Sequence, residues 1–360
     1  VTRAARIASR LEAWYAREGR DLPWRRRRDD PYAVWVSEAM LQQTRVETVL
    51  GRYGAFLDRF PDLASLAAAP EDAVLKAWEG LGYYRRARLL HAGARAVVEH
   101  AGGRLPDTVE GLRALPGFGP YMAGAVASIA FGRRCAATDA NAVRVLARLE
   151  RLDGSRGDPA LTRAVATAHA ALVEASIDPG ALNQAVMDLG ARVCVRRPRC
   201  SLCPVRDLCA AFADGGEAAA ARYPAPPARR APRDVAVAMA VVADGKGRVL
   251  AGRRPPGLLG GLWGLPLGEG PDAGQAAGAL VATLHEAGVP AADDLRSAGA
   301  FDWAFTHRRW HVEVLTLAAA EAVPTGSWTW LDATARADAA FGGPFRRALA
   351  TKPPGESPGG

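Results

Sequence analysis

Lysine is nearly missing from this chain of 360 residues: of 46 cationic side chains only Lys76, Lys246 and Lys352 are lysine, and the rest are arginine. A mechanism built on a lysine Schiff base therefore has almost no candidate, and ahead of Gly215 it has Lys76 alone. Lys76 falls inside a helical pattern and is expected to be solvent-exposed. No apolar run approaches the ~18 residues that a membrane-spanning helix needs. Val1 to Leu11 is an Arg-bearing helical pattern without the apolar core of a signal peptide. The expectation is a soluble, cytoplasmic protein with no membrane partner. Internal repeats are absent, and the first part of the chain lacks strand alternation.

What is present is an ordinary globular composition, 49% apolar and 23% charged, long enough for two domains with a core each. The formal charge of +8 points to a polyanionic partner such as nucleic acid.

Residues 1–214 read as helix after helix. Ile7, Leu11 and Trp14 fall on one stripe. Similar segments follow at Pro31–Leu50, Leu63–Ala69, Glu71–Trp78, Arg86–His100, Val109–Leu115, Tyr121–Ala130, Asn141–Leu149, Leu161–Glu174 and Ala181–Val193. Residues 215–234 form a Pro- and Ala-rich linker. Beyond it, 235–350 reads as an α+β domain. Strands are expected at Val235–Val242 and Arg248–Arg253, joined by a hairpin at Asp244-Gly245, and at Trp310–Leu317 and Ser327–Leu331. Helices are expected at Gln275–Ala287 and Pro344–Ala350. Residues 351–360 read as a disordered tail.

Four of the five cysteines, Cys194, Cys200, Cys203 and Cys209, crowd into one short span, separated by five, two and five residues. A cytoplasmic helical protein is a poor setting for disulfides, so the set reads as metal ligands. One C-x-x-C flanked by longer arms favours wrapping a [4Fe–4S] cluster over zinc, with four unligated buried thiols as the third reading. Arg196, Arg197, Arg199 and Arg206 stud the same loop and give it a basic surface. Cys135, among small apolar residues, reads as core.

Leu115-Pro116-Gly117-Phe118-Gly119-Pro120 lies between two helical segments. Its glycines permit tight backbone approach and Pro120 suits a first helical position, so the amides there can face a phosphate. Asp139 precedes a helix and reads as an N-cap. Glu38 stands in the apolar stretch Val34–Leu41, where desolvation raises a carboxyl pKa and favours a general acid, an exposed helix residue being the competing reading. Two carboxylates in one cleft suit cleavage of a glycosidic bond, one protonating the leaving group and the other stabilising an oxocarbenium ion.

With these segments in place, the chain resembles the helix-hairpin-helix, iron–sulfur DNA glycosylases, and within them the adenine glycosylases of the MutY type. The segments that carry it are LPWR at Leu22–Arg25, WVSEAMLQQTRV at Trp35–Val46, WEGLGYYRRAR at Trp78–Arg88, LPGFGPYMAGA at Leu115–Ala125 and the cysteine set. The resemblance implies an all-α helix-hairpin-helix domain, a six-helix barrel module plus a [4Fe–4S] module, joined to a Nudix-like domain that reads 8-oxoguanine. It implies that Glu38 protonates N7 of a flipped-out adenine and that Asp139 stabilises the sugar cation, with Tyr121 and Asn141 orienting Asp139 or substrate. Arg20, Trp24, Arg25, Leu41, Val46 and Gln184 match positions of the adenine pocket. Gln42, Gln43, Thr44, Tyr83, Leu115, Gly117 and Gly119 match DNA-binding positions, Gln43 and Tyr83 as wedges. Gly257–Trp263 and Phe305, Thr306 and His307 match segments that read 8-oxoguanine, and the four cysteines match the cluster ligands. The implied partner is double-stranded DNA with adenine opposite 8-oxoguanine or guanine, bound by a monomer.

The sequence departs from that pattern in a first cysteine gap one residue short, in Ala140 and Ala142 after Asp139, and in Thr306 where serine is usual. Two further readings compete: a bifunctional endonuclease III-like pyrimidine-lesion glycosylase and lyase, and a non-catalytic iron–sulfur lesion sensor. Tyr121 stands where the lyase branch has its lysine, and intact Glu38 and Asp139 disfavour the sensor. Gln275–Ala287 offers Glu286 alone as a magnesium ligand, so hydrolysis by the second domain is not expected.

Overall fold

The computed structural model describes residues 1–226, 231–289, 294–319 and 323–351. Part of the linker and all of the tail after Thr351 lie outside the described residues. The chain forms two compact units. One joins Val1–Ala69 to Arg85–Ala228, and the other joins Pro70–Tyr84 to Arg229–Gly360, each over its described residues. Among the described residues no helix is long and apolar enough to cross a membrane.

The first unit is helical. In chain order its elements are α1 (Arg3–Glu18), α2 (Pro31–Leu41), α3 (Val46–Arg59) and α4 (Leu63–Ala68), then, past α5 (Glu71–Ala77) of the second unit, α6 (Arg85–His100), α7 (Val109–Arg113), α8 (Pro120–Phe131), α9 (Ala140–Leu149), α10 (Pro159–Glu174), α11 (Pro179–Arg192), α12 (Ala210–Ala213) and α13 (Gly216–Ala220). Their starts are written in the sequence: Asp30, Asp139, Asp158 and Asp178 each accept a first-turn amide at the head of α2, α9, α10 and α11. Helices α2 and α8 are apolar on all sides and buried, packed against each other, whereas α9 is strongly two-faced. Helix α11 touches α1, α8, α9 and α10.

One expected helix is broken. Instead of running from Pro31 to Leu50, the chain leaves α2 at Leu41 and restarts at Val46, with Gln43 in the left-handed region at φ 58°. The cause is tertiary. The Arg86 guanidinium, from α6, donates to the carbonyls of Ala39 (2.8 Å), Met40 (2.8 Å) and Gln42 and to Thr44 Oγ1 (2.9 Å), capping the end of α2 with a cation. Nothing in the local periodicity announces such a cap.

The second unit holds α5 and a mixed sheet: β1 (Arg233–Ala243), β2 (Val249–Arg253), β3 (Trp263–Gly264), β4 (Leu267–Gly270), then α14 (Ala273–Glu286), β5 (Arg296–Ala304), β6 (Arg308–Ala318), β7 (Trp328–Leu331), α15 (Ala333–Asp338) and α16 (Gly343–Leu349). The order is β3-β2-β1-β6-β5, with β4 pairing β1 and β7 pairing β2. Strands β1 and β6 run parallel and the other pairs antiparallel. Alternation along β1 sends Val235, Val237 and Met239 into a core with Trp310 and Phe345, and Ala238 and Ala240 to the face covered by α14. The small residues let α14 lie close. A Cβ on Gly268 would stand 2.2 Å from the Ala276 carbonyl oxygen. The β1–β2 turn is longer than the expected Asp-Gly pair. Asp244 accepts amides from Lys246 and Arg248, and Gly247, not Gly245, takes the left-handed conformation. Strands β3, β4 and β5 and helix α15, absent from the sequence reading, are mostly short or Gly- and Ala-rich.

Lys76 is not free in solvent. It is half-buried, with Nζ 3.1 Å from Glu79 Oε2. Cys135 is likewise half-buried rather than core, its thiol against the Gly124 carbonyl at 3.5 Å.

Candidate functional site

Glu38 lies on α2 and is only 6% exposed, walled by apolar neighbours. The Tyr121 hydroxyl, from the first turn of α8, donates to Glu38 Oε2 at 2.5 Å. Burial is the dominant influence on this carboxyl and pushes its pKa up to about 7; the Tyr121 bond and the Arg25 charge pull down, while the Asp139 charge pushes up. Burial thus favours the protonated carboxyl, the form a general acid needs.

Asp139 is the N-cap of α9, as the sequence indicates. Its Oδ1 accepts the Ala142 amide (2.7 Å) and its Oδ2 the Asn141 side chain (2.9 Å). Burial raises its pKa, and these bonds together with Arg144 oppose the rise. Asn141 is held in turn: its Oδ1 accepts from Arg144 Nη2 at 2.8 Å, and Arg144 Nε donates to the Cys194 carbonyl at 2.7 Å. Ahead of Asp139, Thr138 Oγ1 lies 2.8 Å from Nδ1 of the fully buried His169, whose pKa burial lowers to about 4. The fit at Asn141 also depends on a glycine of α11, because a Cβ on Gly190 would come within 2.6 Å of the Asn141 Cβ.

Arg20 and Arg25 both reach Asp188 on α11, which is completely buried. Trp24 is buried edge-on against Tyr53 at 5.5 Å. Gln184 is buried and bonds its own helix at the Gly180 carbonyl (3.3 Å), and Leu41 and Val46 are half-buried on either side of the α2–α3 break. Tyr121, Asp139 and Arg25 are therefore all within electrostatic reach of Glu38. Trp24, Leu41, Val46 and Gln184 make no hydrogen bond to that group among the described residues.

Asp188, Arg144, His169 and Gly190 escaped the sequence reading. Asp188 carried the same signal as Glu38, a carboxylate inside an apolar helical stretch (Ala185–Gly190).

In the hairpin, Gly117 has φ 86° and a Cβ there would meet the Leu89 backbone at 3.3 Å, so both shape and space require glycine. Gly119 is different. It N-caps α8 at φ −72°, and a Cβ there would meet nothing within 4 Å. Leu115 is half-buried in the turn. Gln42 and Thr44 are half-buried in the α2–α3 break, and Gln43 is exposed there.

Cys194, Cys200, Cys203 and Cys209 line one cavity floored by Val145, Leu189 and Val205. Arg148, 3% exposed, braces its rim by donating to the carbonyls of Val195 (2.7 Å) and Arg196 (3.1 Å) and to the Cys194 sulfur (3.3 Å). Burial pushes the Cys200 thiol up to about 11 and Cys203 to about 12. Among the described residues no three His, Cys, Asp or Glu side chains converge as ligands of a single metal ion do. The thiols instead stand around the cavity walls.

In the second unit, Phe305, Thr306 and His307 make the β5–β6 turn. Phe305 packs edge-on against Trp310 at 5.0 Å, and Thr306 and His307 are exposed. The Thr306 and Tyr83 hydroxyls lie 2.9 Å apart, and Tyr83, half-exposed, takes the left-handed conformation at φ 46°. In the Gly257–Trp263 segment Leu259 is also left-handed, and Arg253 stacks on Trp263 at 4.2 Å. Non-glycine residues held there store backbone strain, a feature concentrated at functional surfaces.

Residues 36–169 match the model of the HhH-GPD superfamily base excision DNA repair proteins, and residues 238–351 match the NUDIX domain. A human adenine DNA glycosylase is 48% identical over 213 residues, 56% of this chain and 38% of that protein. A mouse adenine DNA glycosylase is 39% identical over 307 residues, 72% of this chain and 59% of that protein. The chain thus spans about half the length of the curated relatives it matches. The solved structure of a thermostable thymine-DNA glycosylase aligns over 59% of this chain and 97% of its own, with 27% identity and a TM-score of 0.52. Helical fold, hairpin and sequence agree: the chain belongs to the HhH-GPD superfamily of base excision DNA repair proteins and carries a NUDIX domain behind its helical part.

Proposed function

We propose that this protein is a monofunctional adenine DNA glycosylase, acting as a monomer on double-stranded DNA in which adenine stands opposite 8-oxoguanine or guanine. The observation that carries this reading is Glu38, buried and accepting the Tyr121 hydroxyl, its pKa pushed up by that burial and by the Asp139 charge. In the proposed reaction Glu38 gives its proton to N7 of the flipped adenine. The C1′–N9 bond then breaks, its electron pair leaving with the base, and the Asp139 carboxylate stabilises the oxocarbenium ion. A water adds to C1′ and its proton returns to Glu38, giving free adenine and an abasic sugar. Tyr121 orients Glu38, and Asn141 orients Asp139.

No amine stands in this group, since the position beside Glu38 is a tyrosine, so the strand stays intact. The arginines, Trp24, Leu41, Val46 and Gln184 form the adenine pocket in this reading. Extruding a base costs a few kcal/mol, and the strained Gln43 and Tyr83 serve as wedges. Gly119 and the uncapped first turn of α8 hold a backbone phosphate, beside Leu115 and Gly117, and Gln42 and Thr44 line the same strand. Residues 1–214 carry the chemistry and 235–350 read 8-oxoguanine through Phe305, Thr306 and His307, and the stretch 215–234 that joins them includes α13 of the first unit and the first residues of β1.

The cysteine cavity fits a [4Fe–4S] cluster. Four sulfurs line it, and a bound cluster would supply the positive charge that lets thiols held protonated by burial ligate as thiolates. Cys194, Cys200, Cys203 and Cys209 would hold it. When bound, such a cluster supplies rigidity and a charged centre to the arginine-studded loop.

The function is tested with duplexes carrying adenine opposite 8-oxoguanine, adenine opposite guanine, or an oxidised pyrimidine. Breaks only after alkali, on the adenine strand, are expected. Breaks without alkali at the pyrimidine lesion would establish a lyase instead. A subtler expectation concerns Gly190→Ala, which pushes Asn141 off Asp139. Overpacking of this kind costs about 1–3 kcal/mol, and if it is felt at Asp139 the single-turnover rate drops about tenfold to a hundredfold. Circular dichroism should report the same fold.

A further inference from the structure

Asp188 is used by no step above, yet it is the most heavily bonded carboxylate of the first unit. It has no exposed surface. Its Oδ1 accepts from Arg20 Nε (3.0 Å), Arg20 Nη2 (2.6 Å) and Arg25 Nη2 (2.9 Å); its Oδ2 accepts from Arg25 Nη1 (2.8 Å) and the Arg20 amide (3.2 Å). Arg25 Nη1 also donates to the Arg20 carbonyl at 3.0 Å, and its guanidinium lies over the Tyr15 ring at 5.0 Å. A buried carboxylate is retained at high desolvation cost unless fully paired, and here the pairing fixes two arginines at once. The carboxylate that Arg25 feels next after Asp188 is Glu38.

We propose that Asp188 is a positioning residue for the glycosylase reaction: it grips Arg20 and Arg25 at the wall of the base pocket and keeps Arg25 from closing an ion pair with Glu38, so that Glu38 retains the proton it delivers. This rests on the function proposed above. The grip leaves Nη1 of Arg20 and Nε of Arg25 outside it, donors suited to the ring nitrogens of a purine. It also sets the charge around Glu38. The groups facing that carboxyl are Tyr121 from α8, Asp139 ahead of α9 and Arg25 from the turn before α2, with Tyr15, Asp188 and Arg28 behind Arg25. Of these Arg25 is the cation whose charge Glu38 feels, and Asp188 holds both Nη atoms of its fork.

The experiment follows the carboxyl itself. The protonated Glu38 band is isolated by infrared difference against Glu38→Gln and titrated in the wild type, in Asp188→Asn and in Asp188→Asn/Arg25→Gln. An arginine released onto a carboxylate lowers its pKa by about 1–3 units, so the Asp188→Asn midpoint should fall by at least about one unit. In the double variant it should return to or above the wild-type value. The alkaline limb of single-turnover adenine release should move with the band in the single variant.

Removing Asp188 also destabilises the fold, but a merely structural role lowers the amount of active protein equally at every pH and moves neither midpoint. A band midpoint unchanged in Asp188→Asn overturns the proposal. A band that shifts as expected in a protein that releases no adenine leaves the positioning intact and removes the proposed function instead.

Discussion

Glu38→Gln lowers the rate of adenine release about 10²- to 10⁴-fold while leaving duplex affinity within a few-fold. General acid catalysis is worth about 10²–10⁴ in rate, and an amide of the same shape keeps an acceptor for the Tyr121 hydroxyl but has no proton to give. Binding depends on other groups, so lesion-duplex affinity measured by gel shift should survive. The same substitution changes stability with a definite sign. Burial lifts the Glu38 pKa from 4.5 to about 7. The folded state therefore holds a proton that the unfolded chain has released between those values, and the wild type loses stability as pH rises through that window. Glu38→Gln escapes the loss. In denaturant melts it should gain on the wild type from pH 5 to pH 8, by up to about 3 kcal/mol.

Asp139→Asn should be as inactive, with a loss of about 10³-fold or more, and for a different reason. Its carboxylate is the anion nearest the reacting carbon in the proposed reaction, and a preorganised charge in a water-poor site is the largest single source of rate. Asparagine caps helices about as well as aspartate, so α9 should start where it does now and thermal unfolding should shift little. Loss of activity with an unchanged melting temperature separates the charge from the cap. Asp139→Ala should lose both, with about 1 kcal/mol less stability from the missing cap. Measuring the pair by single-turnover kinetics and calorimetry distinguishes the two roles that one side chain plays.

The helical half was legible because its signals are local: aspartate caps, apolar stripes and Pro120 at a first helical position all concern neighbours in sequence. Glu38 was legible in part for the same reason: an acid flanked by Val34, Trp35, Val36 and Met40 suggests desolvation, while the sequence leaves an exposed helix residue equally open. The break after Leu41 was hidden because its cause, Arg86, comes from another helix. The grip on Asp188 was hidden likewise: Arg20 and Arg25 read as pocket residues, while the carboxylate that orders them lies more than 160 residues along the chain. Gly190 matters only because α11 crosses the head of α9, a contact that no periodicity reports. In the second unit, β3 to β5 were missed because Gly- and Ala-rich strands of two to nine residues carry no alternation. Their positions are set by pairing with β1, β2 and β6.

The central claim is that a protonated Glu38 delivers the proton that releases adenine. The most direct test is the single-turnover rate of adenine release from a duplex with adenine opposite 8-oxoguanine, measured from pH 5 to pH 9 at constant ionic strength. The rate constant should fall tenfold per pH unit above about 7, following loss of the Glu38 proton. A rate that is flat or rises between pH 7 and pH 9 would contradict the account.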